Sequence, residues 1–356
     1  MTHRQYWVLS GASDVVIDGF TMRHAASPAQ HGAINVDGHS NWTVRDTTLS
    51  DAHGMLVTFE DGAGYQLLDS ELARGGETGV GANEASDVLY RGNRIHHNNT
   101  EDFDSGWSAG GTKNARVTNL VVEGNEVYAN VGPGIWCDVD CVDVVIRQNR
   151  VHHNWSQGIQ YEISRNALIT GNVVWENGWG SREWCFGAGI LVQNSHDVAV
   201  EDNLLAWNAN GLVVISQERG QSWDRVTNTS MRDNTIISTA DGPQAHAYCE
   251  DWSGVLFERA SNNRSSGNRY WYPETEGSDV RFGWGNRGFQ RLADFNATSG
   301  SNHGKYIDTA TMHQVLAATG VPSRPEAEDT ATPLSTEPST PVPSPVPLAE
   351  RVQKDG

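Results

Sequence analysis

The sequence predicts an all-β chain, a right-handed parallel β-helix of about ten coils, and three observations carry that prediction. The first is a recurring phrase: an apolar or β-branched pair, then Asp or Asn, then a short strand. It falls at Asp18, Asp46, Asp69, Asn93, Asn125, Asn149, Asn172, Asn203, Asn234 and Asn268, spaced by 28, 23, 24, 32, 24, 23, 31, 31 and 34 residues. The second is an interleaved series, Asn98, Asn130, Asn154, Asn177 and Asn208, each five residues behind a member of the first. The third is a glycine opening an apolar strand: Gly134-Ile135, Gly158-Ile159, Gly189-Ile190 and Gly211-Leu212.

The short spacing is one bare coil, and the longer ones carry loops. A single coil cannot bury its own apolar face, so coils stack, with Ile, Val and Leu in inward columns. Each corner Asn then hydrogen-bonds the backbone of the next coil. A leucine-rich repeat would need an L-x-x-L-x-L frame, which is absent, and no helical pattern separates the strands as βαβ units require. The pairs His96-His97 and His152-His153 recur at one rung position. They read as rung-surface residues, because zinc would need further ligands at suitable spacing.

Three segments follow in order. Residues 1–285 form the β-helix, which starts so near Met1 that an upstream capping segment is expected to be missing. Residues 286–320 hold two short helix-like stretches expected to pack on the C-terminal coil. Residues 321–356 are a Pro/Ser/Thr-rich disordered tail with polyproline character. No apolar run approaches a membrane span, and no signal peptide is visible. The net charge of −19 excludes a nucleic-acid surface. With 13 Trp and 37 Gly, the composition points to a saccharide-handling surface.

The candidate chemistry lies on two consecutive rungs, Gly134 to Cys141 and Gly158 to Arg165, whose glycines are 24 residues apart. Asp138 and Glu162 both stand four residues after the glycine, so they stack. Alternation turns Ile135, Cys137 and Val139 inward with Ile159, Tyr161 and Ile163. It turns Trp136, Asp138, Asp140, Gln160, Glu162 and Ser164 outward. The outer column Asp138/Glu162/Gln193 is thus flanked by Trp136/Gln160/Leu191 and by Asp140/Ser164/Ser195. Carboxylates on neighbouring strands stand roughly 5 Å apart, the separation of a retaining glycosidase. Two like charges that close split their pKa values, leaving one acid and one anion. Long insertions beside these rungs bring Trp107, Trp179, Trp184 and Trp252, aromatic surfaces on which sugar rings could stack.

These two strings, GIWCDVD and GIQYEIS, resemble the catalytic rungs of the β-xylosidase family built on a right-handed β-helix. The resemblance implies Asp138 as nucleophile and Glu162 as acid/base. It is close over residues 120–180. The family's Trp after the Asp and His-Gly-Pro after the Glu are replaced here by Val139 and by Ser164-Arg165-Asn166, so xylose specificity does not carry over.

Two rival readings use the same fold. A polysaccharide lyase or uronate epimerase would draw on Lys113 and Arg165, with Ca²⁺ bound by Asp138, Asp140 and Glu162. A non-catalytic carbohydrate-binding or surface protein would need no reacting pair. The hydrolase reading requires no metal or cofactor. The expected partner is a polysaccharide or oligosaccharide, and the oligomeric state stays open. Cys137 points inward, and Cys185 and Cys249 lie in two insertions where they could pair. A secreted or cell-surface location is expected.

Overall fold

The computed structural model describes residues 4–217, 225–239, 246–252, 254–256, 258–275, 279–285, 287–298 and 301–324. Residues 1–324 form one compact unit, and a second unit, 325–356, lies outside the described residues with most of the expected tail. Part of the insertion Asp241 to Gly254 also lies outside them.

Three parallel sheets run the length of the first unit. A typical coil contributes Ile135–Asp138 to sheet A, Val142–Arg147 to sheet B and Arg150–His152 to sheet C. Among the described residues eleven such coils stack, one more than the repeat indicated. The eleventh is Phe282–Trp284, Ser301–Asn302 and Lys305–Tyr306. Its corner is His303-Gly304, so no Asn marks it. Sheet A ends where Arg287–Phe289 turns back antiparallel on Phe282–Trp284.

The corners explain the repeat. Sheets B and C are joined by two residues in every coil. The first adopts left-handed backbone, as at Gly92 (φ 70°), Gly124 (φ 63°) and Asp202 (φ 56°), which Gly, Asn and Asp tolerate best. The second is the ladder residue. Asn149 shows the pattern: its Oδ1 accepts from the Asn125 N–H at 3.0 Å, and its Nδ2 donates to the Val122 carbonyl at 2.9 Å. Asp46 and Asp69 occupy the left-handed position, and Thr47 and Ser70 are the ladder residues. Aligning the repeat on its acids therefore shifted the first coils by one residue or more. The second series also forms a ladder: the N–H groups of Asn98, Asn130, Asn154 and Asn177 each donate to the side-chain oxygen of the next Asn, ending at Asn208.

Inside the coils one register column runs through Ile34, Val57, Val80, Thr112, Ile135, Ile159, Ile190 and Leu212, all buried. Each fully buried aliphatic contributes about 1.5–3 kcal/mol. Outside, on sheet C, His96, Tyr128, His152 and Trp175 stack ring on ring at 4.6, 5.0 and 4.0 Å.

The two helices behave differently. Leu292–Asn296 turns Leu292 and Phe295 onto Phe282, Trp284 and Phe289 of the last coil. Thr309–Thr319, capped by Asp308 and Gly320, instead lies along the flank. Its Met312 and Leu316 pack on Trp175, Ala206, Ile237 and Trp271, the outer face of sheet C over coils 7–10. The expectation that both helices cover the last coil is thus corrected. Trp175, Ala206, Ile237 and Trp271 form a flat apolar strip that a helix face of Met and Leu can bury.

Candidate active site

The outer face of sheet A carries the candidate site. Register places Gly81, Lys113, Trp136, Gln160 and Leu191 in one outward column. The next column holds Asn83, Ala115, Asp138, Glu162 and Gln193. Asp138 and Glu162 end neighbouring strands, Ile135–Asp138 and Ile159–Glu162, which lie about 4.8 Å apart.

Lys113 joins them. Its Nζ lies 2.7 Å from Asp138 Oδ2 and 3.1 Å from the centre of the Trp136 ring. The Lys113 and Asp138 side chains are 12% and 19% exposed. Burial pushes the Lys113 ammonium below its ordinary pKa, against the opposing pull of Asp138 and then Glu162. Glu162 sits deeper, at 6% exposure. Its Oε2 accepts from Trp136 Nε1 at 3.2 Å and from Gln160 Nε2 at 2.7 Å. Gln193 is the register partner of Glu162, and its Nε2 donates to Gln217.

An open cleft of about 360 Å³ runs from these residues toward the N-terminal coils. Gly81 and Ala115 make its floor low, and Asp138, Lys113, Arg116, Glu60 and Trp107 line it. Trp107 is 60% exposed. Burial raises the Glu60 carboxyl above its usual range. Beyond coil 7 the face is closed. Leu191, Val213, Ile215 and Ala247 are buried beneath the insertion that carries Phe186 and Cys185, and Cys185 is bonded to Cys249.

Several expected neighbours lie elsewhere. Alternation stops after Asp138, because Val139 (φ 42°), Asp140 (φ 59°) and Ile163 (φ 47°) enter the left-handed corner. Val139 and Ile163 are therefore half-buried corner residues and not core. Asp140 lies past that corner and pairs with Arg165. Ser164 and Ser195 are buried corner-ladder residues that accept from the Cys141 and Ser164 N–H groups. The Ca²⁺ set of Asp138, Asp140 and Glu162 does not converge, and among the described residues no such cluster is placed to hold a metal. Trp179 is on the sheet C flank, where it donates to the Trp207 carbonyl at 2.9 Å with Arg182 and Arg324 over its ring. Trp184 lies against Gly283, four coils beyond Glu162. The insertions carry no periodicity, so their direction was not legible.

The site also holds residues the sequence reading missed, namely Arg116, Glu60, Asn83 and Thr58. Extending the Asp138 column toward the N-terminus would have found Asn83 and Glu60.

Residues 32–182 match the family described as the right handed beta helix region. The chain is a right-handed parallel β-helix. No curated protein matches its sequence. Among solved structures, the A-module of mannuronan C-5 epimerase AlgE6 from Azotobacter vinelandii is 16% identical. Its TM-score is 0.51, and the match covers 85% of this chain and 77% of that one. The C387A mutant of DFA-IIIase from Arthrobacter chlorophenolicus A6, in complex with DFA-III, is 12% identical at a TM-score of 0.48. That match covers 85% of this chain and 78% of that one. The GH136 lacto-N-biosidase from Eubacterium ramulus is 10% identical at 0.44, covering 84% and 60%. The first of these likenesses, at 0.51, is a likeness of fold. No helix among the described residues is long and apolar enough to cross a membrane.

Proposed function

We propose that the chain is a carbohydrate-active enzyme, a retaining glycoside hydrolase, with Asp138 as nucleophile and Glu162 as acid/base. The observation that carries this reading is the pair of carboxylates at matching strand ends on neighbouring coils, where a strand spacing of about 4.8 Å is compatible with the carboxyl separation of about 5–5.5 Å that retention uses. Lys113 holds Asp138 facing the cleft, and Trp107 offers a stacking face for a sugar ring. In the first step Asp138 attacks the anomeric carbon while Glu162 protonates the departing oxygen. In the second, Glu162 takes a proton from water, which displaces Asp138 and restores both groups. The disulfide supports an extracellular or cell-surface site of action.

A second reading has its own support. The cleft is lined by Lys113 and Arg116, while Glu162 stands behind Trp136. A lysine whose pKa burial has lowered can act as a base, removing the C5 proton of a uronic acid whose carboxylate Arg116 neutralises. Product analysis in ¹⁸O water, over a panel of plant and bacterial polysaccharides, separates the two. Hydrolysis gives a saturated product with ¹⁸O at the new reducing end, abolished by Glu162→Gln. An unsaturated product lighter by one water, lost in Lys113→Met and kept in Glu162→Gln, overturns the hydrolase reading.

A further inference from the structure

Two unusual residues are linked through Ser108 beside the cleft. Trp107 is a large aromatic left 60% exposed, and Glu77, four residues before Gly81 of the cleft floor, is a carboxyl with 0% exposure. A buried acid is costly unless its oxygens are paired, and among the described residues no cation pairs with Glu77. Its oxygens are instead divided between two separate chain segments. Oε1 accepts from the Ser108 hydroxyl at 2.5 Å, and Oε2 accepts from the Gln30 backbone N–H at 2.6 Å. Ser108 belongs to the insertion between coils 4 and 5. Gln30 belongs to the corner between coils 1 and 2. Both line the cleft, and Ser108 is the neighbour of Trp107.

Other bonds reinforce the same junction. The Thr78 hydroxyl donates to the Ser108 carbonyl at 2.8 Å, and the Gly110 N–H donates to the Glu77 carbonyl at 3.2 Å. The Ser108 and Trp107 N–H groups both reach the Asp104 carbonyl, forming a tight turn. That turn carries the indole, and Glu77 ties it to the sheet.

We propose that Glu77 is a positioning residue: it ties the Gln30 corner and the Ser108 turn to coil 4, and so fixes Trp107 as the stacking wall of the cleft. A capping or core role would be served by an apolar side chain; a bridge between two cleft walls needs two acceptors. The proposal rests on the cleft being the saccharide site, as argued above, but not on the reaction performed there.

The test uses the full chain with Glu77→Ala, Glu77→Gln and Ser108→Ala, read by amide hydrogen exchange and by kinetics. In Glu77→Ala the amides of residues 103–110 should exchange roughly ten- to a hundredfold faster, the scale of losing charge-assisted bonds. Strand Val142–Arg147 of sheet B should stay at its wild-type rate. Glu77→Gln keeps one acceptor and can donate to the Ser108 oxygen, so it should stay within about threefold of wild type. On a polysaccharide the wild type cleaves, KM should rise several-fold in Glu77→Ala with kcat nearly unchanged. Equal acceleration in sheet B, or an insertion that exchanges at the wild-type rate, overturns the latch. If Glu77→Ala does not fold, Ser108→Ala carries the same readout with the carboxyl still held by Gln30. A wild type that cleaves nothing defeats the hydrolase reading and leaves the exchange result to decide the latch by itself.

Discussion

Replacing Asp138 with Asn removes one charge and keeps the shape, which isolates the contribution of the Lys113 pair. The ammonium would then be left 12% exposed over the Trp136 ring. Losing a charge-assisted hydrogen bond sets a floor of about 1.5 kcal/mol. The ceiling is the cost of releasing the proton at pH 7, about 4.6 kcal/mol for a lysine at its ordinary 10.4. Burial has already lowered Lys113, so the ceiling falls, and a loss of about 2–4 kcal/mol is expected. Lys113→Met should cost less, about 1–3 kcal/mol, because Asp138 faces the cleft and can rehydrate. The double variant should cost less than the sum by about 1.5–3 kcal/mol. Urea unfolding of the four proteins at pH 7 measures this coupling. The pH dependence has a definite sign. In Asp138→Asn the folded-state pKa of Lys113 lies further below that of the unfolded chain. The unfolded chain therefore binds the extra proton between those two values, and stability rises with pH there. The penalty of the variant should shrink as pH climbs from 7 toward 10. Additive variants, or a penalty flat across that range, refute the reasoning.

Asn149→Ala should cost about 3–5 kcal/mol in urea unfolding, because it orphans the buried N–H of Asn125 and the Val122 carbonyl together. Cys185→Ser with Cys249→Ser removes a link spanning 64 residues, worth up to about 4 kcal/mol by chain entropy. A lower Tm should accompany faster exchange over Phe186 to Leu191. Glu176 is held down to about 2 by its bonds from His153 and then Arg324. Its contribution is complete above pH 4.5 and lost as pH falls toward 2. His153 is 51% exposed, so screening trims that contribution to about 1–2 kcal/mol. Glu176→Gln should accordingly flatten the acid limb of the stability profile between pH 4.5 and 2.

The fold was legible because its corners need particular residues. A left-handed residue followed by an amide that bonds two coils leaves a mark at every rung, and Gly124-Asn125 or Asp202-Asn203 can be read directly. Where the ladder uses other side chains, as at Thr47 and Ser70, the repeat drifts, and at His303-Gly304 it vanishes. Within the site, the alternation that paired Asp138 with Glu162 and Trp136 with Gln160 is a property of extended backbone. It failed for Asp140 and Ser164, because the chain leaves the extended region one residue after Asp138 and one residue after Glu162. Lys113 entered the sequence reading only as a cation for the lyase or epimerase alternative. Only pairing shows that it lies over Trp136. Trp179 and Trp184 sit in an insertion whose course is set by the disulfide and by packing against coils 8–11, and no local pattern encodes that course.

The corner between sheets B and C has one fixed length, whereas the corner between sheets C and A ranges from two residues after Gly75 to thirteen after His96. The molecule thus works as a rack with one edge of fixed pitch, and the side between sheets C and A is where its cleft-lining segments enter. Segments of different length can be exchanged on that side without shifting any rung, since doubling a loop costs only about 0.6 kcal/mol. Both walls of the cleft enter there, the corner bearing Gln30 and the turn bearing Trp107. Evolution, or a designer, could alter either wall while the carboxylates stay in place, so recognition and reaction on this scaffold can change independently.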